Sequence, residues 1–242
     1  MTKAIFVDMD DTLIATTALY EQAKDAFDAY LAPYGVRRDE LERVYDQAER
    51  DLFAVHGYSR ARFPASFEQT LKHFIPDATP EMIAEVRGFG EKVFDTPAAL
   101  LPGVDAAMEI LFGKYPVYLV TQGDKSVQED RIAQLPFRDK FSGIFIIEKK
   151  SKETFEGLAA QLGYAPGDIA MLGDSLKSDI NTSAAAGLQA YWIQGANWEM
   201  MENEAQSLPA TAKHFTSLLD AARDISGGGT PARPAAKQGP TP

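Results

Sequence analysis

Cysteine is absent from this 242-residue sequence, which excludes disulfides, thiolate zinc sites and cysteine nucleophiles together. Histidine is scarce. His56, His73 and His214 lie too far apart to form a metal-ligand spacing such as H-x-x-x-H. No apolar run approaches the roughly 20 residues that would cross a bilayer, and the N-terminus carries no signal-peptide profile. A cytoplasmic protein with no membrane partner is the expectation. Positive charge is also short, with 24 Lys and Arg against 35 Asp and Glu, a net charge of −11. So acidic a surface repels phosphate backbones at long range, so nucleic acid is not an expected partner. A small phosphorylated substrate remains compatible, because a local cation or bound metal reverses the field inside a cleft. Hydrophobic residues at 45% and charged residues at 24% are ordinary for a folded chain. At about 150 residues per domain the length fits one large domain or a domain with an insertion. A monomer or homodimer is the expected assembly.

Five short apolar segments read as strands: Ala4–Val7, Val117–Val120, Gly143–Ile147, Ile169–Leu172 and Gln189–Ile193. Most are continuous rather than alternating, as strands buried on both faces of a parallel sheet are. Helical stripes lie between the later ones, at Val104–Phe112 and Thr154–Leu162. This predicts an α/β fold, a doubly wound Rossmann-like parallel sheet with chemistry at the carboxyl ends of its strands. Residues 16–100 break the alternation with helical spacing throughout, including Leu19, Ala23, Phe27 and Leu31, then Leu41, Val44, Tyr45, Ala48 and Leu52. A single crossover needs only about a dozen residues, so the segment reads as an inserted all-helical cap. The core is then discontinuous, over 1–15 and 101–225. Residues 226–242, with eight Gly or Pro in seventeen positions, read as a disordered tail.

Polar residues gather where four of these strands end. The first strand runs into Asp8-Met9-Asp10-Asp11-Thr12. Carboxylates packed so closely repel one another, and a hard cation such as magnesium is the simplest compensation. Alternation points Asp8 and Asp10 to the same side; an N-cap and turn cluster is the competing reading. After the second strand, Thr121-Gln122-Gly123-Asp124 offers a hydroxyl and backbone N–H groups to an anion near a helix start, although helix capping explains the same residues. Glu148-Lys149-Lys150-Ser151-Lys152 follows the third strand, a run that is either a solvated face or a source of one phosphate-neutralising lysine. Gly173-Asp174-Ser175-Leu176-Lys177-Ser178-Asp179 follows the fourth, where two acids can join the first cluster around one metal.

Four such sites in this order resemble the haloacid dehalogenase-like hydrolase superfamily, in its magnesium-dependent phosphatase branch, over about residues 4–193. DMDDT at Asp8–Thr12 resembles the nucleophile motif, Thr121 the phosphate-binding hydroxyl, and GDSLKSD at Gly173–Asp179 the metal-binding motif. The frequent Lys-Pro of the third motif is absent; spacing to Phe155 favours Lys150, with Lys149 the alternative. The helical insert sits where this superfamily carries a cap. The resemblance implies that Asp8 attacks phosphorus to give an aspartyl-phosphate, with Asp10 as acid and then base. It implies Mg2+ held by Asp8, the Asp10 backbone carbonyl and Asp174, with Asp179 supporting. Thr12, Thr121, Gln122, Gly123 and Lys150 would form the phosphate site. Asp11 reads as a cap.

Within the insert, Arg60 and Arg62 in the break at His56–Phe63 are either an anion grip or part of a solvated loop. Asn197-Trp198-Glu199 could rim the pocket. Phosphomutase, phosphonatase and metal-independent haloacid dehalogenase are the alternatives in the same superfamily. The dehalogenase has no use for Asp10, because a halide leaves without a proton. A non-catalytic binding protein has no use for it either.

Overall fold

The computed structural model describes residues 1–195 and 207–227. The Asn197–Glu199 segment and nearly all of the Gly/Pro-rich tail lie outside them. Strand β1 (Ala4–Val7) leads into four helices, α1 (Thr16–Leu31), α2 (Arg38–His56), α3 (Arg62–Phe74) and α4 (Pro80–Asp95). Then come α5 (Val104–Phe112), β2 (Val117–Gln122), α6 (Lys125–Ala133), β3 (Gly143–Ile147), α7 (Lys152–Leu162) and β4 (Ile169–Gly173). A π-helical turn over Leu176–Asn181 continues into α8 (Thr182–Ala185), followed by β5 (Gln189–Ile193), β6 (Lys213–Phe215) and α9 (Leu218–Ile225). The strands form one parallel sheet in the order β3-β2-β1-β4-β5-β6, the expected α/β Rossmann-like fold.

The sheet works because its central strands are apolar on both faces. In β1, Ile5 and Val7 enter a cluster with Val104, Met108 and Leu111 of α5 and with Leu218, Ala221 and Ala222 of α9. Ala4 and Phe6 enter the opposite cluster with Phe155, Leu158 and Ala159 of α7. One strand thus supplies two cores through its two-residue period. Five strands are where the apolar runs place them, and β2 and β4 extend one or two residues further, to Gln122 and Gly173. The sixth was not foreseen. β6 is three residues long with only Phe215 buried, an edge strand too short to leave a periodic signal.

Helices α1–α4 pack around a cluster of their own, built on Phe27, Leu31, Tyr45, Phe63, Phe67 and Leu71. Phe27 and Phe67 stack with centroids 4.6 Å apart, and truncating so buried a ring typically costs about 3–5 kcal/mol. Gly90 lets α4 close on α3, since a Cβ there would lie 2.9 Å from the Cα of Pro64. The chain enters and leaves this layer side by side. Ala15 N–H donates to Ala99 O at 2.8 Å and Leu101 N–H to Leu13 O at 2.9 Å, so the two connections brace each other. Topology therefore holds the helical layer next to the carboxyl end of β1.

Candidate active site

Burial and backbone pairing aim Asp8 upward from the sheet. Its N–H continues the ladder to Leu172 O at 2.9 Å, and its carboxylate is the first polar group beyond the buried strand. Strands β1 and β4 are adjacent in the sheet, which places Asp8 beside the Gly173–Asp179 turn, where an open α/β sheet forms its crevice. Lys150 arrives from beyond β3. Ser151 caps α7 by accepting from Thr154 N–H, and the Oε1 of Gln122 accepts from the Lys150 N–H at 2.6 Å. Those two contacts fix the direction of the lysine. Its Nζ donates to Oδ1 of Asp8 and lies 2.6 Å from Oδ1 of Asp179. Lys149 is exposed and lies outside this cluster.

Asp8, Asp174 and Asp179 each bring a carboxylate oxygen within 4.8 Å of the others, all three buried. Thr12 Oγ1 donates to Oδ1 of Asp174 at 3.1 Å, and the indole N–H of Trp192 donates to the Asp174 carbonyl at 2.7 Å. The π-helical turn brings Asp179 back over the strand end, where its Oδ2 accepts from Ser175 N–H at 3.1 Å. Gly173 is required for that approach, because a Cβ there would lie 2.4 Å from the Asp179 Cγ. Oδ2 of Asp174 is buried and has no partner among the described residues. Three carboxylates against one ammonium leave two negative charges, and a divalent ion with oxygen ligands balances them. The electrostatics agree. Burial pushes Asp8 up to about 7 despite Lys150, with Asp179 adding to the rise. Burial, then Asp8 and Asp179, hold Asp174 well above the ordinary carboxylate range. Lys150 is kept firmly protonated, since its two acids outweigh the opposing effect of burial.

The carboxylate of Asp10 turns to different partners. Gln128 of α6 donates through Nε2 to Oδ2 of Asp10 and to Oγ1 of Thr121, both at 2.7 Å, and to the Gln122 carbonyl at 3.0 Å. An amide nitrogen only donates, so Thr121 is the acceptor and its own hydroxyl proton is left for another group. Arg131, one turn further along α6, donates from Nη1 to Oδ1 of Asp10 at 2.9 Å. Burial raises Asp10 above the usual carboxylate value, with Arg131 opposing. The result is a half-buried acid, a hydroxyl with its proton uncommitted and a carboxylate–lysine cluster around one strand-end crevice. That set suits attack on an electrophile by Asp8 with proton transfer by Asp10.

The family profile of the haloacid dehalogenase-like hydrolases matches residues 2–187. The chain belongs to this family. A glyceraldehyde 3-phosphate phosphatase of Pyrococcus furiosus is 24% identical over 209 residues, covering 84% of this chain and 85% of that protein. The N-acylneuraminate-9-phosphatase of Mus musculus is 27% identical over 203 residues, covering 79% and 82%. A solved haloacid dehalogenase-like hydrolase from Xanthomonas campestris superposes with a TM-score of 0.80 at 20% identity, over 93% of this chain and 91% of that one.

In this hydrolase the other marked residues divide. Asp11 is a cap: it adopts a left-handed φ of +54° and accepts from the Thr17 N–H at 2.9 Å and from the hydroxyls of Thr16 and Thr17. Asp124 also caps, accepting from the Ser126 and Val127 N–H groups at the start of α6. Both arginines of the helical layer have acidic partners. Arg62 pairs with Glu49 inside the helical layer, while Arg60 meets Asp95 at 2.5 Å and reaches Asp130 of α6 at 3.6 Å. Three residues escaped the sequence reading: Gln128, Arg131 and Trp192. The available signal was the three-residue spacing of Gln128 and Arg131, which puts both on one face of the helix after Thr121.

Proposed function

We propose that this hydrolase is a magnesium-dependent phosphatase that cleaves the phosphomonoester of a small metabolite through an aspartyl-phosphate on Asp8. The observation that carries the reading is the pairing of two differently held acids in one crevice. Asp8 is bound to Lys150 beside the carboxylate cluster, and Asp10 is bound to Gln128 and Arg131 beside Thr121. Magnesium would be held by Asp8, Asp174 and the Asp10 backbone carbonyl, with Asp179 orienting them, and would supply charge neutralisation at the phosphoryl oxygens.

In the first step an Asp8 oxygen bonds to phosphorus as the ester P–O bond breaks, and Asp10 gives its proton to the departing alkoxide. In the second, water attacks the phosphorus of the acyl phosphate and the bond to Asp8 breaks. Asp10 takes the water's proton and is ready again. Alcohol and inorganic phosphate leave. Lys150 and the free hydroxyl proton of Thr121 serve the phosphoryl oxygens, and the Gly123 backbone borders the same turn; most of this catalysis is positioning and charge stabilisation. Gln122 acts through Lys150, whose backbone it holds. The names of the relatives support phosphate esters as the class without selecting a metabolite. A phosphonatase would need a desolvated cap lysine; Lys24 and Lys72 are paired with Glu21 and Glu68, and Lys92 is exposed.

The test is hydrolysis of an aryl phosphate with magnesium and with chelator, followed by a metabolite panel. Turnover should require the metal. Asp8→Asn should lose at least about a thousandfold in rate with unchanged circular dichroism. Ordinary turnover by that variant would falsify the assignment, and release of halide from a 2-haloacid in chelator would favour the dehalogenase.

A further inference from the structure

The acid Asp10 is held at both oxygens, and one of its holders is linked to the helical layer. Gln128 takes Oδ2 at 2.7 Å and Arg131 takes Oδ1 at 2.9 Å, so the carboxyl plane is set from two points on α6. Arg131 is itself mostly enclosed, with 12% of its side chain exposed. Tyr20, on α1, lies beside the same guanidinium, and its ring packs edge-on against Phe63 and Phe94. Two helices from different parts of the molecule therefore meet at one arginine.

We propose that Arg131 is a positioning residue that orients Asp10 for proton transfer to the leaving oxygen, and that Tyr20 orients Arg131 from the helical layer. The inference rests on the phosphatase reading above. In the step concerned, the proton passes from Asp10 to the ester oxygen while the P–O bond breaks and the bond from Asp8 to phosphorus forms. Arg131 neither bonds to the phosphoryl group nor carries the proton. It fixes where the donor stands. A misplaced donor matters most when the departing oxygen is strongly basic, and little when it leaves as a stable anion.

The experiment compares kcat/KM for dinitrophenyl phosphate and for a simple alkyl phosphate in wild type, Arg131→Met, Arg131→Lys and Tyr20→Phe. Arg131→Met should lose at least about 10-fold more on the alkyl ester than on the dinitrophenyl ester, because general acid catalysis is worth about 10²–10⁴-fold. The loss should fall in kcat with KM little changed. Arg131→Lys should recover part of it, and Tyr20→Phe should show the same preference more weakly. Equal losses on both esters would overturn the proposal in favour of structural support, and a rise in KM alone would overturn it in favour of substrate binding. If Arg131→Met does not fold, the ester preference of Arg131→Lys and Tyr20→Phe decides the matter by the same criterion. A wild type inactive on every ester would strike the phosphatase reading itself. An active wild type with uniform variant losses would strike only the role of Arg131.

Discussion

The Nζ of Lys150 lies 2.6 Å from Oδ1 of Asp179, with 4% and 1% of the two side chains exposed. The same ammonium serves Asp8, so one cation holds together acids that arrive from β1 and from the turn after β4. Pairs this deep contribute less to stability than their contact suggests, because both ions lose water; breaking one by removing a single partner is what costs most.

Lys150→Met should therefore destabilise the metal-free protein by about 3–5 kcal/mol, since two buried carboxylates lose their counter-ion. Urea unfolding in chelator measures it. Activity should fall about a hundredfold or more, in line with the loss of one charge that stabilises the transition state. Lys149→Ala should stay within about 0.5 kcal/mol of wild type, as exposed side chains usually do, and should keep its activity. A larger loss at Lys149 than at Lys150 would move the phosphate-neutralising role by one residue.

Metal-free stability should depend on pH with a definite sign. Burial raises Asp8 to about 7 and Asp174 well above its ordinary value, whereas the unfolded chain ionises these acids near about 4. The native state thus keeps protons that the unfolded state has released. Stability from these groups is complete below about pH 4 and is lost as pH rises through about 7. Thermal unfolding in chelator should show Tm falling between about pH 5 and about pH 8. Magnesium binds the ionised carboxylates, so its stabilising increment should grow over the same interval. An increment independent of pH would remove these acids from the metal site.

Gly173→Ala should damage the site out of proportion to its size. The added Cβ would meet Cγ of Asp179 at 2.4 Å, so either the strand end or the acid must move. Displacing a group that orients metal ligands typically costs about 10–100-fold in metal affinity or activity. The magnesium dependence of Tm and of turnover reports both. Gly157 provides the control. It lies in α7 with open space around its Cβ position, and alanine there should stabilise by about 0.5–1 kcal/mol through helix propensity alone.

Much of the site is legible from sequence because its parts occupy strand ends. A buried strand announces itself by an unbroken apolar run, and Asp8, Thr121 and Asp174 stand at or directly past the ends of theirs, with Lys150 three residues beyond. Gln128 and Arg131 were not legible. They sit mid-helix, and their common partner is more than a hundred residues away, so no local pattern names it. The arginines Arg60 and Arg62 were legible as charges but not as ion pairs, because Glu49, Asp95 and Asp130 come from three different helices.

By itself the amino-acid order determined a parallel sheet, a helical block between its first two strands and the polar residues at four strand ends. These follow from two-residue and 3.6-residue periodicities, which are properties of short stretches of chain. Only the tertiary structure decided that Lys150 rather than its neighbour enters the crevice, that Asp174 keeps an oxygen there without a partner among the described residues, and that Asp10 is held by α6. Those outcomes depend on how far each loop turns before the next element begins. Sheet order and helix packing set that, bringing distant side chains within the few ångströms over which a buried charge finds its partner.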